Sequence, residues 1–121
     1  MNSKTLTSRD FVIKNNQVYV TKNGGVPGML LIKTEWCGHC QRFKPTFNKL
    51  ANLVGSGFNC LLIDGDTLSK ELTSSMQVSG YPTIKFFDQT GKIIGTYSGD
   101  RSEQDILDKI CNIFHHCVKY H

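Results

Sequence analysis

Apolar positions in this chain cluster, alternate or recur at helical spacing, and each rhythm predicts an element. Phe11 to Val20, FVIKNNQVYV, holds short β-prone runs on either side of Asn15 and Asn16. Asparagine tolerates the left-handed backbone of a tight turn, so the stretch predicts a hairpin. Lys22 to Gly28, rich in glycine and carrying a proline, reads as a loop. Met29 to Thr34, MLLIKT, predicts a short interior strand. Phe43, Phe47, Leu50 and Val54 then line one helix face, with Pro45 inside the pattern predicting a kink and Gly55, Ser56 and Gly57 ending it. Phe58 to Ile63, FNCLLI, predicts a buried strand, in which Cys60 reads as a small core residue.

Thr67 to Gln77 carries a weaker helical pattern through Leu68, Leu72 and Met76, and Val78 to Pro82 connects it onward. Thr83 to Phe87 and Lys92 to Tyr97, separated by the turn-forming Asp88 to Gly91, predict an antiparallel strand pair. Ile106, Leu107, Ile110, Ile113 and Phe114 make a final helical stripe, started near Ser102 with Asp105 as its capping-box partner. Strands separated by helices imply parallel pairing, and the late hairpin supplies an antiparallel edge, so the fold class is α/β with a mixed sheet.

Composition narrows this picture. A chain of 121 residues has room for one domain with one core. Hydrophobic residues at 39% and charged ones at 20% are ordinary for a globular protein. The formal charge of +4 is scattered, which speaks against nucleic-acid binding. No apolar run approaches the roughly 18 residues of a membrane span, and the opening MNSKTLTSRDF lacks the apolar core of a secretory signal. The end, HHCVKYH, is not a retention signal. The expectation is a cytoplasmic monomer. The alternatives are the virion of a cytoplasmically assembling virus, or a secretory lumen if a leader was removed.

The candidate chemistry lies in Trp36-Cys37-Gly38-His39-Cys40, where a strand hands over to a helix. Unpaired N–H groups at a helix N-terminus favour a thiolate, so Cys37 is the expected nucleophile. Cys40, one helical turn on, is placed to attack a mixed disulfide at Cys37 and release the partner reduced. His39, when protonated, adds a cation that stabilises the Cys37 thiolate. The same cysteine spacing is half a zinc site, so a metal or iron–sulfur module stays open as an alternative. The five cysteines are odd in number, which argues against a fully paired framework. Cys111 continues an apolar stripe, Cys117 reads as an exposed thiol, and residues 115–121 read as a frayed tail. His115 and His116 beside these cysteines admit a metal cluster as the sharper alternative.

Several separated motifs resemble the thioredoxin family, and most closely a catalytic domain of protein disulfide isomerase. WCGHC is similar to the isomerase active site. Pro45 falls at the family's helix kink, and Gly80-Tyr81-Pro82-Thr83 with the following IKFF resembles the segment whose proline is cis and faces the cysteines. Tyr97 to Arg101, YSGDR, resembles the segment carrying a mobile arginine that tunes the second cysteine. The resemblance implies a thioredoxin fold over residues 1–121, with 1–28 a divergent hairpin and loop region in place of a legible first helix. It implies catalytic roles for Cys37, Cys40, His39 and Arg101, and substrate contacts at Trp36, Gly38, Tyr81 and Pro82. It implies no cofactor. The expected activity is thiol-disulfide exchange with protein cysteines, supported by a separate redox partner. A redox-inactive peptide-binding adaptor is the competing use of the same surface. Two positions depart from the family: Leu31 stands where a buried acid usually serves the second cysteine, and Lys33 replaces an aromatic residue.

Overall fold

The structure, a computed structural model, describes residues 3–118. Among these residues, seven strands and three α-helices follow in the order β1 (Ser3–Leu6), β2 (Phe11–Lys14), β3 (Gln17–Val20), β4 (Gly28–Lys33), α1 (Gly38–Val54), β5 (Asn59–Asp64), α2 (Lys70–Ser75), β6 (Thr83–Phe87), β7 (Ile93–Thr96) and α3 (Glu103–Phe114). Five strands form the main sheet in the order β1-β5-β4-β6-β7. β5 runs parallel to β1 and β4, whereas β6 is antiparallel to both β4 and β7.

Side chains of successive strand residues point to opposite faces, and β4 buries both of its faces. Met29 and Leu31 pack with Phe43, Phe47 and Leu50 of α1 and with Ile106 and Ile110 of α3. Leu30 and Ile32 pack on the other side with Leu72 of α2 and with Phe11, Val18 and Val20 of the β2–β3 hairpin. The hairpin therefore covers a sheet face. Asn15 and Asn16 hold φ of 52° and 63° at its turn, as their side chains permit. Val20 N–H donates to Gly91 O at 2.7 Å, tying the hairpin to the β6–β7 turn. A side chain at Gly91 would run into the Val20 carbonyl oxygen, which explains the glycine there.

Pro45 lies inside the continuous helix α1, on its exposed side. α2 is shorter than its apolar pattern, because Ser69 Oγ caps it by accepting from Leu72 N–H at 3.2 Å and Gln77, at φ 57°, lies beyond its end.

The tail after α3 corrects the sequence reading. Cys111 and Cys117 form a disulfide with Cα atoms 4.4 Å apart, so Cys117 is not a free thiol and residues 115–118 are tethered rather than frayed. The tail turns back at His115, whose left-handed φ of 55° ends α3 while its N–H donates to Cys111 O at 2.9 Å. His116 then stacks on Phe58 at 5.7 Å, and its Nε2 donates to the Val54 carbonyl at the end of α1, 2.7 Å away. The remaining expected tail residues, 119–121, lie outside the described residues. Replacing Cys111 and Cys117 together by serine is expected to cost about 2 kcal/mol in chemical denaturation, the chain-entropy value for so short a ring. Thiol exchange at Cys37 should be unchanged in that variant. An unaltered denaturation midpoint would show that the disulfide adds nothing to stability.

Candidate active site

The turn after β4 places the two cysteines. Cys37 N–H donates to Thr34 O at 3.4 Å, and Cys37 adopts an extended backbone as the N-cap of α1. Its sulfur takes the place that a serine or aspartate oxygen holds in other helices, accepting from Cys40 N–H at 3.1 Å. Cys40 sits inside the first helical turn. Both thiols are free, and only 7% of Cys37 and 4% of Cys40 is exposed.

Their environments push the two sulfurs apart. Burial by itself would raise the Cys37 thiol, but the Cys40 side chain, the backbone N–H groups of Cys40 and His39 and the charge of Arg101 outweigh it, and the net shift is downward. Cys40 is pushed up to about 11, first by burial and then by the hydrogen bond and charge of Cys37; the Thr34 N–H and Arg101 only partly offset this. One sulfur is shifted toward the thiolate, and the other holds its proton. Cys60, deep in the core, is raised by burial to about 12 and takes no part in this surface.

The remaining predicted site residues gather around the pair. The Tyr81–Pro82 peptide bond is cis, and the Cys37 thiol donates to Tyr81 O at 3.6 Å. Trp36 is 69% exposed, meets the Tyr81 ring edge to face at 5.9 Å, and donates its indole N–H to Asp66 at 3.0 Å. Exposed Gly38 leaves the approach to Cys37 free of a side chain. Arg101 and His39 line an open depression of about 190 Å³ beside the pair. Arg101 follows a turn that the Tyr97 hydroxyl closes by donating to Asp100 O.

The His39 ring Nδ1 lies 2.8 Å from Arg42 Nη2. A guanidinium only donates, so Nδ1 accepts in this contact, and the His39 backbone N–H serves the Cys37 sulfur. The helical spacing of His39 and Arg42 is a signal that could have revealed this. Asp66 and Glu35, by contrast, belong to no motif. Leu31, 2% exposed, lies beneath Cys40 and lines a cavity of about 20 Å³ with Leu62, Phe47, Lys33 and Glu35. Thr34 Oγ1 is buried without a hydrogen-bond partner among the described residues.

Comparison with known proteins agrees with this geometry. A family model described as Thioredoxin matches residues 12–112. "Protein disulfide-isomerase tigA" of Aspergillus niger is 38% identical over 98 residues, covering 78% of this chain and 27% of that protein. "Protein disulfide-isomerase erp38" of Neurospora crassa is 38% identical over 88 residues, covering 69% of this chain and 24% of its own. The chain thus spans about a quarter of the length of these relatives. Among solved structures, the Trx4 domain of ERdj5 superposes with a TM-score of 0.75 at 21% identity, covering 94% of this chain and 96% of that one. The human ERp44 zinc-bound form gives 0.72 at 17%, covering 91% and 30%.

Proposed function

Because the chain belongs to the thioredoxin family, we propose that it is a thiol-disulfide oxidoreductase of the protein disulfide isomerase type, acting on protein cysteines through Cys37 and Cys40. The observation that carries this reading is the opposite displacement of two buried thiols at one helix N-terminus, facing a cis proline. In the forward sense the Cys37 thiolate attacks a substrate disulfide, joins one sulfur and releases the other as a thiolate. Cys40, as thiolate, then attacks Cys37 Sγ. The Cys37–Cys40 disulfide forms, and the second substrate sulfur leaves with the electron pair. The backbone of Tyr81, before the cis bond, would pair with an extended substrate segment once the Cys37 thiol gives up its bond to the Tyr81 carbonyl, with Trp36 beside it. Residues 1–121 serve this as one thioredoxin-like domain, working as a monomer.

Turnover of a disulfide-linked peptide, with thiol titration before and after, tests the reading. Two free active-site thiols that never exchange would leave the peptide-binding adaptor instead. The Cys111–Cys117 disulfide supports an oxidising compartment, the secretory lumen among the alternatives, over the cytoplasm expected from the sequence. Recovery of the chain from cells with both of these thiols reduced would contradict that.

His39→Pro is expected to make the active-site disulfide more reducing, because proline removes the N–H that stabilises the Cys37 thiolate. His39→Ala keeps that N–H and should shift the potential less. Equilibration of both variants against a glutathione buffer decides. Equal shifts would return the effect to the ring.

A further inference from the structure

The resolving step needs the Cys40 proton to leave a nearly enclosed sulfur, and the geometry beneath it offers one route. The cavity below Cys40 has apolar walls of Leu31, Leu62 and Phe47, and its volume of about 20 Å³ is that of one water. Its rim is charged. Lys33 Nζ lies 2.6 Å from Glu35 Oε2, with the Lys33 side chain 15% exposed and that of Glu35 66% exposed. The pair thus reaches from the cavity to solvent. Gln41 of α1 fixes the segment by donating from Nε2 to Glu35 O at 2.9 Å.

We propose that the Lys33–Glu35 ion pair, working through a water held in this cavity, takes the proton from Cys40 during resolution. The inference rests on the oxidoreductase reading above. The Cys40 S–H proton passes to the water as a water proton passes to the Glu35 carboxylate, and Glu35 returns it to bulk solvent. The Cys40 thiolate attacks Cys37 Sγ, the bond from Cys37 to the substrate sulfur breaks, and the departing thiolate takes a proton from solvent. Glu35 is a positioning residue, since it reaches the sulfur only through water. The Lys33 ammonium, hydrogen-bonded to Glu35, and the charge of Lys44 keep its carboxyl below the usual range, so it stands ready without a proton. Lys44 of α1 also lines the cavity, and the charged or titratable groups that act on Cys40 directly are Cys37 and Arg101. Leu62 alone faces the cavity from β5.

The test is rapid-quench measurement of mixed-disulfide formation and decay with a small peptide disulfide, from mildly acidic to alkaline pH. Parent, Glu35→Gln, Glu35→Asp and Lys33→Met proteins are compared. Glu35→Gln should slow decay roughly tenfold near neutral pH, and the deficit should vanish where hydroxide is abundant. Formation of the mixed disulfide by Cys37 should be unchanged, and Glu35→Asp should recover part of the loss. A purely structural role would alter formation and decay together without this pH dependence. Decay as fast as the parent at every pH in both Glu35→Gln and Lys33→Met would overturn the relay while leaving the oxidoreductase reading intact. A parent that forms no mixed disulfide would overturn both.

Discussion

Cys37→Ser is expected to abolish disulfide exchange, and Cys40→Ser to leave a protein that accumulates covalently joined to its substrate. The asymmetry follows from position. The Cys37 sulfur accepts the Cys40 N–H at the start of α1, where thiolate charge is held by backbone donors. A serine hydroxyl there does not ionise near neutral pH and cannot form the first mixed disulfide. With Cys40 replaced, the first attack proceeds but no second sulfur displaces the substrate. Non-reducing electrophoresis after mixing with a disulfide-containing protein separates the two outcomes. Equal trapping by both variants would show that the sulfurs are interchangeable, contrary to their opposite shifts.

Leu31→Glu is expected to destabilise the fold by about 3 kcal/mol or more while accelerating release of substrate. Leu31 is packed among Phe43, Phe47 and Ile84 with 2% exposure, so the substitution removes apolar contacts and buries a carboxyl group. Burial raises the folded-state pKa of such a carboxyl above its unfolded value of about 4.3. The raised value means that the folded state binds the proton more tightly. The stability difference is therefore smallest below the unfolded pKa and deepens as pH rises through the folded one. Denaturation midpoints across pH read this directly. Above its raised pKa the carboxylate becomes an internal base beneath Cys40, and mixed-disulfide decay should quicken. Decay no faster than the parent at any pH would show that proton removal is not what limits resolution.

The geometry of the candidate site was legible because it rests on local order. A strand, a CxxC turn and a helix face recur in sequence as they do in space, and Tyr81-Pro82 opens the strand that meets them. The hairpin was equally clear, since Asn15 and Asn16 name their own turn. β1 was not: Ser3–Leu6 has little apolar rhythm, and it becomes a strand by pairing with Cys60 to Ile63 of β5. That partnership is set by the sheet edge rather than by the segment. The Cys111–Cys117 bond was hidden for a related reason. Helical spacing put Cys111 in the α3 stripe, and only the left-handed turn at His115 brings Cys117 back to it. The orientation of the His39 ring likewise depends on Arg42, a side-chain choice that the active-site motif does not encode.

The length of α1 has a kinetic consequence. One cysteine pair sits at its first turn, and the other is secured beside its last carbonyl through His116. A helix of 17 residues is about 25 Å long, so no fluctuation that preserves α1 brings Cys37 within bonding distance of Cys117. Oxidising equivalents cannot pass from one pair to the other inside a folded molecule. Any such exchange is a meeting of two molecules, second order in protein and slowed by dilution, and in a dilute solution the two couples stay out of equilibrium with each other unless a small thiol carries electrons between them.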